Sequence, residues 1–91
     1  MAKVVVTLKI MPESPETDLA EIEKKASKLI AEFGGSVGRS EQIPIAFGLK
    51  SLNLLFVMDE DIGSTEALEN DVREIKGVNS AEVIDVRRAV G

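Results

Sequence analysis

A chain of 91 residues, 44% hydrophobic and 30% charged, has the length of one domain and the balance of a globular protein, not a disordered one. It contains no cysteine and no histidine. That removes disulfides, the commonest general base, the commonest transition-metal ligand, and both Ser/His/Asp and Cys/His nucleophilic machinery.

The chain opens on "AKVVVTLKIM". Val4, Val6, Leu8 and Ile10 alternate with Val5, Thr7, Lys9 and Met11, which predicts a strand with one buried face. "PESPETD" breaks the alternation. Ser14 before Pro15 fits a helix N-cap, and Asp18 with Glu21 offers a second. Leu19, Ile22, Ala26, Leu29, Ile30 and Phe33 then recur at steps of three or four, the apolar stripe of one amphipathic helix of about four turns. Gly34-Gly35 ends it, one glycine suiting the left-handed position after a helix.

"SVGRSEQIPIAF" is a weaker strand. Its polarity, Gly38 and Pro44 suit a sheet edge, because proline cannot donate to a ladder. "LKSLNLLFVMDED" is stronger, with Leu52, Leu54, Phe56 and Met58 on one face. Asn53 interrupts its other face, but Leu55 and Val57 are apolar too, and a strand apolar on both faces lies centrally or faces another surface. "DIGSTEALENDVREIKG" reads as a second helix, with Ser64 as N-cap, Leu68, Val72 and Ile75 on the buried side, and Gly77 as terminator. "VNSAEVIDVRRAVG" is the last strand, with Arg87 and Arg88 before a short apolar tail.

Strand, helix, strand, strand, helix, strand, over residues 1–91 without a linker, is the order of two split βαβ units. Such units place two helices on one face of a four-stranded antiparallel sheet, the ferredoxin-like plait, an α+β fold. Function does not follow from that fold, so its common occupants are tested by their chemistry. RNA recognition would need stacking aromatics on the central strands. Those strands carry valine, leucine and one Phe56. The formal net charge of −5 also opposes binding to nucleic acid. A heavy-metal carrier would need thiolates. A small-molecule regulatory module survives, since its pockets use backbone and aliphatic groups.

No metal site is expected. Asp59, Glu60, Asp61 and Glu66 in "DEDIGSTE" lack the ligand spacing of a calcium loop, and read as a solvated loop before a helix start. No apolar run reaches the length of a membrane span, and the N-terminus lacks the features of a secretory leader. The expectation is a cytoplasmic chain that contacts neither membrane nor nucleic acid and needs no cofactor.

"IPIAFGLK" raises a separate question. Phe47 sits beside Gly48 where a hairpin turn is expected. Either it folds back on the sheet edge, or it is an exposed anchor of the residue type that dominates interface hot spots. The residues alone leave both open.

"IPIAFGLKSLNLLFVMDED", followed by "GSTEALENDV" and "VNSAEVIDVRR", resembles the guanine nucleotide exchange domain family of translation elongation factor 1-beta, in its archaeal form. "ETDLAEIEKKA" in the first helix fits as well. The most specific part is Ala46-Phe47-Gly48-Leu49-Lys50 with an acidic loop one strand later. The resemblance implies the same fold and an activity without covalent chemistry: promoting exchange of GDP for GTP on elongation factor 1-alpha. It implies that Phe47, Gly48 and Lys50 lie in the contact surface. It further implies that a basic residue near the end of the last strand is inserted toward the partner's Mg²⁺ and phosphate site. Two positions depart from the family. A second lysine after "AFGLK" is Ser51 here, and the family's catalytic lysine falls at Arg88, with Arg87 one step away and three residues beyond. The free protein is expected to be a monomer. The competing reading is a small-molecule-binding regulatory domain of the same fold.

Overall fold

The computed structural model describes residues 2–89. The last two residues of the apolar tail, Val90 and Gly91, lie outside them. The elements run β1 (Lys3–Pro12), α1 (Leu19–Phe33), β2 (Ser36–Pro44), β3 (Lys50–Asp59), a short 3₁₀ turn (Glu60–Ile62), α2 (Glu66–Arg73) and β4 (Val78–Arg88). The four strands form one antiparallel sheet in the order β2-β3-β1-β4. This is the expected ferredoxin-like plait.

The sheet's register carries out what the alternation predicted. Val4, Val6, Leu8 and Ile10 of β1 lie opposite Met58, Phe56, Leu54 and Leu52 of β3, and all eight are buried. Paired residues share a face, so these two strands supply one continuous apolar floor. Ile22, Ala26 and Ile30 of α1 and Leu68 and Val72 of α2 join the same core cluster, so both helices cover one side of the sheet. Leu19, Leu29, Phe33 and Ile75 pack at its margin.

The helix starts differ from the sequence reading. α1 is capped by Asp18, not by Ser14: one Asp18 oxygen accepts from the backbone N–H groups of Ala20 (3.0 Å) and Glu21 (3.3 Å). The Ser14 carbonyl instead accepts from the Thr17 N–H at 3.2 Å, closing a turn before the helix begins. In α2 the cap position is Thr65, not Ser64. The Ser64 hydroxyl still accepts from the Glu66 N–H at 3.1 Å, while the Thr65 hydroxyl turns to Glu69 at 2.9 Å. α2 also stops at Arg73, four residues before Gly77, and leaves Ile75 in the turn that follows.

α1 ends as expected. Gly34 has φ +110° and its N–H reaches back to the carbonyls of Ile30 and Ala31. Gly35 is needed for space: a Cβ there would lie 2.8 Å from Ile30 Cγ2 and 2.9 Å from Phe56 Cδ2. The chain thus crosses the helix–sheet seam where no side chain fits.

β4 contains an irregularity that sets which way its last residues face. Leu8 pairs with Val83 and Thr7 with Asp85, so Ile84 is an extra residue in the ladder. A bulge of this kind changes which residues of the strand share a face. Beyond it, Val86 lies opposite Val6 and Arg88 opposite Val4, on the helix side, while Arg87 lies opposite Val5 on the other side.

Candidate partner-binding site

The β2–β3 connection is a tight hairpin. The Leu49 N–H bonds the Ala46 carbonyl at 2.9 Å, and the Ile45 N–H bonds the Leu49 carbonyl at 2.9 Å. Its two central residues, Phe47 and Gly48, have φ +54° and +78°. Positive φ at both places is what a type I′ turn requires, and it matches the twist of the flanking strands. Glycine adopts it freely; phenylalanine does so at a cost of about 1–2 kcal/mol. Among the described residues Phe47 is the one non-glycine with positive φ.

Phe47 is 95% exposed. This decides the question left open by the sequence: the ring does not fold back on the sheet edge. Ile43 and Ile45, also exposed, extend an apolar ridge behind it. Gly48 and Lys50 line a cleft of about 440 Å³ whose far wall is the β1–α1 loop, with Pro15, Thr17 and Asp18 among its residues. That loop carries no signal in the sequence that ties it to the hairpin, because the two meet only through tertiary packing. Pro15 Cβ would lie 3.6 Å from a Cβ on Gly48, an ordinary contact, so backbone conformation and not space requires glycine here.

Arg88 and Arg87 lie at the other end of the sheet. Nine strand steps separate Leu49 from Met58, the neighbour of the Val4–Arg88 pair, which is roughly 30 Å. The structure therefore does not bring the hairpin residues and the arginine pair together. The two arginines are not equivalent either. Arg88 Nη2 donates to both oxygens of Glu60, at 2.9 and 3.1 Å, while Arg87 Nε donates to Asp85 at 2.8 Å on the opposite face. Glu60, read from the sequence as part of a solvated loop, is 28 residues from Arg88, and no local pattern links them.

Ser51 is 2% exposed, and its hydroxyl donates to Asn53 at 3.3 Å. It is a structural residue of β3, not a surface contact. Among the described residues there is no cluster of three or more Asp, Glu, His or Cys able to hold a metal ion. No helix of the described residues is long and apolar enough to cross a membrane.

A four-stranded plait with a projecting aromatic tip at one end and two carboxylate-paired arginines at the other defines a class: a small α+β domain of ferredoxin-like fold. The particular family comes from comparison with known proteins. The model of the EF-1 guanine nucleotide exchange domain matches residues 5–89, and the chain belongs to that family. It is 44% identical over 88 residues to the elongation factor 1-beta of Methanothermobacter thermautotrophicus, covering 97% of this chain and 98% of that one. It is 45% identical over 89 residues to the elongation factor 1-beta of Staphylothermus marinus, at the same coverage. Its role is that of a nucleotide exchange factor in translation elongation. Among solved structures, the ACT domain from the GTP pyrophosphokinase of Chlorobium tepidum shares the fold, with a TM-score of 0.60 at 16% identity over 90% of this chain and 99% of that one.

Proposed function

We propose that the chain releases GDP from elongation factor 1-alpha through two separated contacts, Phe47 as anchor and Arg88 as inserted cation. The observation that carries this reading is the exposure of Phe47 at a strained backbone position. Fold stability does not account for a ring that packs on nothing and a φ that disfavours it. Strain of this kind persists where function requires it, and membership in an exchange-factor family supplies the function.

The chemistry needs no covalent step. Mg²⁺ bridges the phosphates and switch region of a GTPase and neutralises their charge. A protein cation placed beside the metal competes with it electrostatically and weakens the hold on the nucleotide. A guanidinium serves by hydrogen-bonding phosphate oxygens through its planar fork, where a lysine would act as a point charge. The roughly 30 Å between the two ends means that the hairpin and Arg88 touch different parts of the partner. Binding and rate are then separable. Gly48 sets the turn that presents Phe47, Lys50 adds a cation at the same end, and Arg87, facing the other side of the sheet, is secondary to Arg88. The free chain acts as a cytoplasmic monomer and contacts the GTPase without touching tRNA, in keeping with its net charge of −5.

The test is release of fluorescent GDP from the elongation factor 1-alpha of the same organism, followed against increasing exchange-factor concentration. Arg88→Ala lowers the maximal release rate and leaves half-saturation nearly unchanged, because its term arises only once the metal site opens. Wild-type behaviour of Arg88→Ala at saturation would remove Arg88 from the mechanism. A GDP off-rate unaffected by the unaltered chain would remove the whole proposal.

A further inference from the structure

Arg88 is already engaged in the free protein. Its Nη2 is held by both oxygens of Glu60. The two backbones are fixed to the same end of β1, since the Glu60 N–H bonds the Ala2 carbonyl at 3.0 Å and the Ala89 N–H bonds the Lys3 carbonyl at 2.8 Å. The contact is selective within its loop. Asp59 takes Lys3 at 3.4 Å, and Asp61 forms no ion pair among the described residues. Arg87 is occupied by Asp85 on the other face. The Ile84 bulge, which sets the face of Arg88, thereby also selects its carboxylate.

We infer that Glu60 is an intramolecular competitor for Arg88: it holds the guanidinium in the free chain and must release it before the cation can reach an anion on the partner. This rests on the proposed role of Arg88. A guanidinium suits carboxylate and phosphate alike, and the nitrogen that binds Glu60 is then withheld from a phosphate. The two side chains are 69% and 46% exposed, so the pair is weak and easily exchanged. Glu60 is a positioning residue and a light brake. It limits where the guanidinium waits, and its loss leaves the cation free for the partner.

Glu60→Gln keeps the shape and removes the charge. For an exposed ion pair of this strength the maximal GDP release rate should rise about two- to threefold. Asp61→Asn makes the same change of net charge in the same loop without touching Arg88, and should leave that rate as it is. In an Arg88→Ala background, Glu60→Gln should have no effect, because the coupled partner is gone. A purely structural role for Glu60 would lower the rate, and would do so in both backgrounds. A rate for Glu60→Gln equal to or below that of the unaltered chain overturns the inference, as does an equal rise in Asp61→Asn. So does a rise that persists without Arg88. If Arg88→Ala alone matches the unaltered chain, the proposed role of Arg88 and this inference fall together. If Arg88→Ala is slow and Glu60→Gln is flat, the inference falls alone. Circular dichroism of each variant confirms that it is folded.

Discussion

Replacing Phe47 by asparagine should make the protein more stable and a worse exchange factor. The stability gain follows from the backbone. A left-handed conformation costs a residue with a bulky side chain about 1–2 kcal/mol, and Phe47 holds φ +54°. Asparagine tolerates this region, and Asn-Gly is the favoured pair for a type I′ turn. Nothing in the folded chain is lost in exchange, because the ring is 95% exposed. Unlike glycine, asparagine adds little freedom to the unfolded chain. Relief of roughly 1 kcal/mol should raise the melting temperature by about 4–8 °C for a domain of this size. The loss of function follows from the same exposure. Burying a phenylalanine against a partner is worth about 1.5–3 kcal/mol, and truncating a central interface aromatic costs about 2 kcal/mol or more. That is roughly 30-fold in affinity. Thermal unfolding by circular dichroism reads the first effect, which suits a chain without tryptophan or tyrosine. Titration calorimetry against elongation factor 1-alpha reads the second. A melting temperature that falls would show that Phe47 packs within its own fold. An unchanged affinity would show that the exposed ring is not the anchor.

Two other perturbations test the architecture that holds these groups in place. Asp18→Ala should cost about 1 kcal/mol by denaturant unfolding, since it strips the cap from α1, whereas Ser14→Ala should cost far less; the reverse order would mean that the helix starts at Pro15. Gly35→Ala should destabilise by about 1–3 kcal/mol through overcrowding between Ile30 and Phe56, and Gly38→Ala, whose nearest neighbour would be 4.0 Å away, serves as the comparison that should not.

The exchange-factor reading and the regulatory-domain reading share one fold, and the likeness to an ACT domain at 16% identity bears on fold alone. What separates them is the family match over residues 5–89 and the way the chain spends its aromatic residues. Of three phenylalanines, Phe56 is in the core, Phe33 packs at its edge, and Phe47 is offered to solvent.

The order of elements was legible in the sequence because it rests on local periodicity. Val4, Val6, Leu8 and Ile10 repeat at two, and Ile22, Ala26 and Ile30 repeat at the helical step, and each pattern admits only one way of burying its apolar side. The edge place of β2 and the central place of β3 followed from Pro44 and from a strand apolar on both faces. Positions set by competition between neighbouring acceptors did not follow. Ser14 and Asp18 both carry capping oxygens, and the Ser14–Thr17 turn, which forms as the chain leaves β1, settles the choice. The hairpin was readable as a turn, but the direction of Phe47 was not, since a ring beside a glycine can face either way until both φ angles are set. The arginine pair shows the limit most clearly. Alternation from Val83 would put Arg87 on the helix side, yet the extra residue Ile84 reverses the phase and puts Arg88 there, opposite Val4 and within reach of Glu60. A bulge is a property of how two strands fit across a sheet, not of the residues in either one, so only the assembled structure decides which arginine meets that carboxylate.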